Sequence, residues 1–206
     1  MRALILVDIQ NDFVAGGNLE VPHGEQIIPL ANQLTHHFDL VVATQDWHPA
    51  SHKSFASNHT EKKPFERIVL GGLDQVLWPD HCVQGSRGAD FHPQLEMQKA
   101  EAIFRKGMDP GVDSYSGFFD NGRKKNTGLA GYLAAREIDK VYVCGLAGDY
   151  CVYFTVKDSL LSGFKTFLIE DATRSISYDD FQKAKNEMVE MGASIVDSAA
   201  VLGNNT

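Results

Sequence analysis

The sequence predicts an α/β protein: a three-layer, doubly wound fold around a mostly parallel sheet of about six strands. Two observations carry this expectation. Short apolar runs without polar alternation, such as "ALILV" at Ala3–Val7, have the composition of strands covered on both faces. Between several of them lie segments whose apolar residues recur every three or four positions, as crossover helices require. Repeated strand–helix units of this kind close with right-handed crossovers.

Taken in order, Ala3–Val7 is the first strand. Glu25–Phe38 reads as its crossover helix, with Ile27, Ile28, Leu30, Ala31 and Leu34 on the apolar side. Leu40–Thr44 ("LVVAT") is the second strand and Ala102–Arg105 ("AIFR") a short third. A helix from about Leu129 ("GLAGYLAAREI") leads into a fourth strand, "KVYVCG", at Lys140–Gly145. "DYCVYFTVKDSLLSGF" is helical, with Val152, Val156, Ser159 and Leu160 at helical spacing and Gly163 as its stop. "KTFLIE" is the fifth strand, "YDDFQKAKNEMVEMG" a helix and "ASIVD" the sixth strand.

A length of 206 residues suits one domain over 1–206. The exception to its regular pattern is a loop insertion at about 45–98, which holds five of the eight histidines and four of the seven prolines. Long loops in compact domains usually carry function. A composition of 43% hydrophobic and 22% charged residues is that of an ordinary globular protein. The net charge of -8 argues against nucleic acid or an anionic membrane as a partner and leaves a small molecule. Three cysteines, Cys82, Cys144 and Cys151, are too few and too scattered for a disulfide framework. The first apolar run is cut off by Asp8, shorter than a signal-peptide core. No segment reaches the ~18 apolar residues of a membrane span. A cytoplasmic location is therefore expected, and homo-oligomerisation is left open.

In an open parallel sheet, ligands bind beyond the carboxyl ends of the strands. Strand one ends at Asp8, strand two runs into Asp46-Trp47-His48, strand three leads to Lys106, and strand four passes Gly145 to Cys151. That convergence suits hydrolysis of an amide. Cys151 would be the nucleophile, with its pKa lowered by the helix N-terminus it occupies. Asp8 would move the proton, and Lys106 would favour the thiolate and keep Asp8 ionised at rest. The N–H groups of Ala147 and Cys151 could receive the oxyanion. A second constellation, Asp46 and His48 with the distant His81, offers a carboxylate and imidazoles suited to Zn, Fe or Mn. Asp90 and His92 repeat the Asp-x-His pattern, and spacing alone does not choose between the two pairs.

The stretches "VDIQNDF", "TQDWHP", "LWPDHCVQGSRGADFHP", "RKG", "YSGF" and "CGLAGDYCV" resemble, in this order, the nicotinamidase (pyrazinamidase) branch of the isochorismatase-like cysteine hydrolases. The match runs over nearly the whole chain. It implies a triad of Asp8, Lys106 and Cys151, and metal ligands Asp46, His48 and His81, leaving Asp90 and His92 structural. Some relatives carry a further histidine where this chain has Ser54, so Ser54, the nearby His52 or water would complete the set. One divalent ion is implied, zinc first, with iron or manganese as alternatives. The resemblance also implies a cis Leu146–Ala147 peptide presenting the Ala147 N–H, and a ring pocket of Phe13, Leu19, Trp78 and Tyr115. The implied reaction converts nicotinamide to nicotinate and ammonia through a cysteine thioester. The resemblance further implies pyrazinamide as a second substrate and NAD salvage as the setting. The alternative is another amidohydrolase of the superfamily acting on a carbamoyl or ureido compound.

Overall fold

In residues 1–203, which the computed structural model describes, the apolar runs become strands in the expected order. The elements are β1 (Arg2–Val7), α1 (Ile28–Leu34), β2 (Leu40–Asp46), β3 (Arg67–Leu70), β4 (Leu73–Val76), β5 (Ala102–Lys106), α2 (Leu129–Ala135), β6 (Lys140–Gly145), α3 (Tyr153–Leu161), β7 (Lys165–Thr173), α4 (Tyr178–Glu190), β8 (Ser194–Val196) and α5 (Ala199–Leu202). Six strands form one sheet in the order β5-β2-β1-β6-β7-β8. Every pairing within it is parallel. The chain steps outward from β1 through β2 to β5, then returns to lay β6 on the other side of β1. The carboxyl ends of β1 and β6 thus border the switch point, where an α/β sheet opens a crevice.

Alternate residues of one strand serve opposite faces. Leu4 and Leu6 belong to one buried cluster with Ile27, Ile28, Ala31 and Leu34 of the α1 region. Ala3, Ile5 and Val7 belong to the other, with Leu133 of α2, Val156 of α3, and Phe181 and Met188 of α4. These are the three layers. Full burial of a Leu or Val side chain contributes about 1.5–3 kcal/mol; all seven residues of β2 are buried, Leu40–Ala43 apolar and Thr44–Asp46 polar where the strand reaches the site.

Three local expectations change. The helix expected over Glu25–Phe38 is instead a 3-10 turn at Gly24–Ile27, then α1, then a 3-10 turn at Thr35–His37. Pro29 opens α1, and a proline inside one continuous helix would clash with the carbonyl four residues back. At the other end the Thr35 hydroxyl donates to the Asn32 carbonyl (2.7 Å). In the expected loop insertion, β3 and β4 form an antiparallel hairpin. Its turn, Gly71-Gly72, has φ of +60° and +86°, the left-handed pair that a two-residue hairpin turn needs. The helix around Cys151 begins as a single π-helical turn, Gly148–Val152, before α3.

Candidate active site

The β2–β5 register sets Asp46 directly opposite Lys106. Val7 lies between Thr44 on β2 and Gly145 on β6, so Asp8, the next residue, emerges between those strands. Gly145 is required there: a Cβ would stand 2.1 Å from the Val7 carbonyl oxygen, and its φ is +128°. The following Leu146–Ala147 peptide is cis, as the resemblance implies. The π turn then delivers Cys151.

The three expected catalytic side chains meet in a buried corner. Lys106 Nζ lies 2.8 Å from Asp8 Oδ2, 2.5 Å from Asp46 Oδ1 and 3.3 Å from Cys151 Sγ. It also donates to the Ser114 carbonyl at 3.1 Å. The Thr44 hydroxyl donates to Asp8 Oδ1 at 2.6 Å. Asp8 Oδ2 has no hydrogen bond among the described residues, so the contact with Lys106 is an ion pair that leaves a lone pair free for a proton.

Charge in this corner follows from burial. Burial opposes a charged Lys106, but Asp46 and Asp8 override it and hold the ammonium well above the ordinary lysine range. Burial raises the Asp8 carboxyl, Lys106 pulls it down and Asp46 pushes it up, with a net upward shift. Burial works the same way on Asp46, but Lys106 and His48 prevail and keep it ionised well below the usual range. Burial pushes the Cys151 thiol well above its ordinary range; Lys106 opposes that shift, and the Asp8 and Asp46 carboxylates reinforce it. This corrects the expectation that the helix N-terminus lowers the Cys151 pKa. Desolvation and two nearby anions outweigh one ammonium, so the thiol is neutral at rest.

Beside this corner, Asp46, His48 and His81 place one ligand atom each within 4.8 Å of one another. Asp46 Oδ2 is 3.5 Å from His48 Nε2 and 3.8 Å from His81 Nε2. His48 Nδ1–H donates to the Gly107 carbonyl (2.9 Å) and His81 Nδ1–H to the Pro79 carbonyl (2.8 Å). Because a carbonyl only accepts, Nδ1 carries a proton in both rings and Nε2 is the atom each turns toward the carboxylate. Burial disfavours a charged His48, yet Asp46 shifts it upward overall, so the site favours positive charge at this spot. A divalent cation fits such a set. Gln10 anchors the carboxylate's backbone, accepting from Asp46 N (2.8 Å) and donating to its carbonyl (2.9 Å).

His52 and Ser54 pair with each other. His52 Nδ1 accepts from Ser54 N (3.2 Å) and lies 2.7 Å from Ser54 Oγ. The ring proton is thus on Nε2, and burial with the nearby His48 lowers the His52 pKa to about 4. Its ligand atom groups with those of His48 and Asp113 and stays outside the Asp46–His48–His81 set. Asp90 is exposed and His92 half-buried, and neither belongs to a ligand group among the described residues.

Comparisons with known proteins place the chain in a family. The Isochorismatase domain matches residues 2–200. The chain belongs to the isochorismatase family. It is 48% identical over 201 residues to the nicotinamidase of Acinetobacter baylyi, covering 97% of this chain and 94% of that protein. It is similar to the solved nicotinamidase/pyrazinamidase of Acinetobacter baumanii, with a TM-score of 0.95, 48% identity and 98% of each chain covered. It also resembles the pyrazinamidase of Pyrococcus horikoshii in complex with zinc, with a TM-score of 0.78, 38% identity and coverage of 95% of this chain and 98% of that one.

In this isochorismatase-family chain, Phe13, Leu19, Trp78 and Tyr115 line one cavity with Asp46, His48, His81, Ala147 and Cys151. Sequence reasoning missed three further walls of that cavity: Asp113, Tyr150 and Ile176. Tyr150 was within reach, since it precedes Cys151 in the same turn. Asp113 and Ile176 lie in segments without periodicity, and only the fold brings them in. Thr44 was also legible: it sits two residues before Asp46 on an extended strand, hence on the same face. No helix among the described residues is long and apolar enough to cross a membrane.

Proposed function

We propose that this protein is an amidohydrolase that converts nicotinamide to nicotinate and ammonia through a thioester on Cys151, and that it also accepts pyrazinamide. One observation carries the reading: a buried ammonium within bonding distance of both a thiol and a carboxylate, the thiol at the wall of an aromatic cavity that Asp46, His48 and His81 also line. The high identity to nicotinamidases over nearly the whole chain supports the substrate.

The chemistry follows from the resting charges. Asp8 takes the Cys151 proton as sulfur attacks the carboxamide carbon, because the thiol is neutral until then. The N–H groups of Ala147 and Cys151 face the developing oxyanion; the Ala147 N–H donates no backbone hydrogen bond among the described residues. Asp8 returns the proton to the amide nitrogen, the C–N bond breaks and ammonia leaves. Water then attacks the thioester, giving its proton to Asp8, and the acid is released with the thiol restored. Lys106 keeps the negative charge that moves between Asp8 and sulfur compensated at both places.

Asp46, His48 and His81 would hold one divalent ion, zinc being favoured by the donor set and by the zinc complex of the Pyrococcus horikoshii pyrazinamidase. Bound there, the ion supplies a Lewis-acidic anchor for a ring nitrogen. Phe13, Leu19, Trp78 and Tyr115 would sandwich the ring. The whole chain would act as one catalytic domain, with the segment at about 45–98 as its metal-binding insertion. A cytoplasmic role in NAD salvage fits this activity.

Ammonia release from nicotinamide by purified protein, with Cys151→Ala in parallel, tests the proposal. Release by the wild type alone is expected. Comparable release by the variant would overturn the thioester route, and no release by metal-replete wild type would overturn the substrate.

A further inference from the structure

We propose that Asp149, two residues before the nucleophile, is a positioning residue that fixes the ring-side wall of the site through Ile176. The inference rests on the proposed amide hydrolysis for its kinetic consequence, although the tether itself is independent of that reading. Asp149 is 9% exposed, and its carboxylate is aimed at the segment that follows β7. Oδ1 accepts from Ile176 N at 3.0 Å, and Oδ2 accepts from Ser177 N at 2.8 Å. Those two N–H groups flank the Ile176 Cα on either side. Anchoring both peptide planes fixes the direction of the Cα–Cβ bond between them, and Ile176 borders the cavity beside Cys151, Trp78 and Tyr150.

Further bonds hold the same segment against the nucleophile turn. Gly148 N donates to the Arg174 carbonyl (2.7 Å), and Arg174 N donates to the Gly145 carbonyl (3.3 Å). Ser177 caps α4, its hydroxyl accepting from Asp180 N (3.3 Å). The turn that carries Cys151 therefore also sets where Ile176 stands, so sulfur and the apolar wall keep one spacing. Only a carboxylate satisfies this geometry. An asparagine offers a single acceptor oxygen and would turn its own N–H groups toward one of the two backbone donors.

Asp149→Asn should raise the KM for nicotinamide roughly tenfold with kcat changed by less than about twofold, because the wall contacts ground state and transition state alike. Ile176→Ala should do the same, and the double variant should be no worse than Ile176→Ala alone, since the carboxylate acts through that side chain. Hydrogen exchange at the Ile176 and Ser177 amides should accelerate in Asp149→Asn. Additive KM effects, or unchanged exchange at both amides, would overturn the proposal. If Asp149→Asn loses its cooperative melt, Asp149→Ser and Ile176→Ala carry the same tests. A wild type that leaves nicotinamide intact while Asp149→Asn still frees both amides would sink the proposed substrate and uphold the tether.

Discussion

Lys106 and Asp46 form a buried ion pair, with Nζ 2.5 Å from Oδ1, closer than the 2.8 Å that separates Nζ from Asp8. The other oxygen of Asp46 faces the two imidazoles. One carboxylate thus belongs to both halves of the site: it steadies the ammonium with one oxygen and faces the cation group with the other. The cause is the β2–β5 register, which makes the two residues direct cross-strand neighbours. The acidic atoms of Asp8, Asp46 and Cys151 also fall within 4.8 Å of one another, but the Lys106 ammonium fills the space between them.

Lys106→Met should therefore damage stability as well as turnover. It leaves two buried carboxylates facing each other without a cation, a change that costs about 3–5 kcal/mol. Urea unfolding should register that loss, and ammonia release should fall by at least about a thousandfold. A variant within about 1 kcal/mol of wild type would mean that the carboxylates find another partner or a proton.

The raised Cys151 thiol makes its alkylation a direct readout of the corner's electrostatics. A thiol held above its ordinary range is mostly neutral at neutral pH, and each pH unit upward multiplies the thiolate by ten. Iodoacetamide labelling of the Cys151 peptide should then climb about tenfold per unit from about pH 6 to about pH 9 without levelling. Asp8→Asn removes one of the upward pushes, so the thiol pKa falls: labelling near neutrality should speed up while ammonia release is lost. Levelling near pH 7 in the wild type would reveal a resting thiolate and refute the assignment. Cys82 and Cys144, both buried and both raised, the latter to about 12, are distinguished by peptide mass.

Much of this was legible in the sequence, for identifiable reasons. Strands buried on both faces read as apolar runs, so β1, β2 and β6 and the residues at their carboxyl ends followed directly. Asp8, Asp46 and Lys106 need only that a parallel sheet gathers strand ends at one edge. The β3–β4 hairpin was missed although Gly71-Gly72 between "RIVL" and "LDQV" is a hairpin signal, because the surrounding prolines and histidines suggested loop throughout. The charge state of Cys151 was not legible at all. It depends on the balance between burial and three neighbours brought from the carboxyl ends of β1, β2 and β5, and no local pattern records that balance. Ile176 was missed for a related reason: its place in the cavity depends on hydrogen bonds to a turn more than twenty residues away.

Metal content should separate the ligands from the residues beside them. Asp46→Ala and His81→Ala each remove a member of the three-atom group and should abolish stoichiometric metal in the purified protein. Ser54→Ala should retain it, because Ser54 Oγ is engaged with His52 and His52 turns its protonated nitrogen away from that pair. Treatment of the wild type with a chelator should stop nicotinamide turnover and lower the melting temperature, since a ligand bound only by the folded state stabilises it. Zinc, iron(II) or manganese added back singly would then identify which ion restores both. Loss of metal in Ser54→Ala would assign that hydroxyl as a fourth ligand.

Gly107→Ala probes whether His48 is held as a ligand by the chain that follows Lys106. A Cβ there would stand 2.3 Å from His48 Cε1 and 2.5 Å from Nδ1, the nitrogen that donates to the Gly107 carbonyl. The ring must move, and with it the Nε2 that faces Asp46. The backbone also has φ +68°, so part of any stability loss comes from the left-handed conformation alone. Gly163→Ala supplies the control: its φ is +89°, but nothing lies within 4 Å of the added carbon. Gly163→Ala should lose about 1 kcal/mol and keep its metal. Gly107→Ala should lose more than that, and its metal affinity should fall about 10- to 100-fold, the range for disturbing a group that orients a ligand. Equal metal affinity in the two variants would mean that His48 does not need its bond to Gly107 to face the ion.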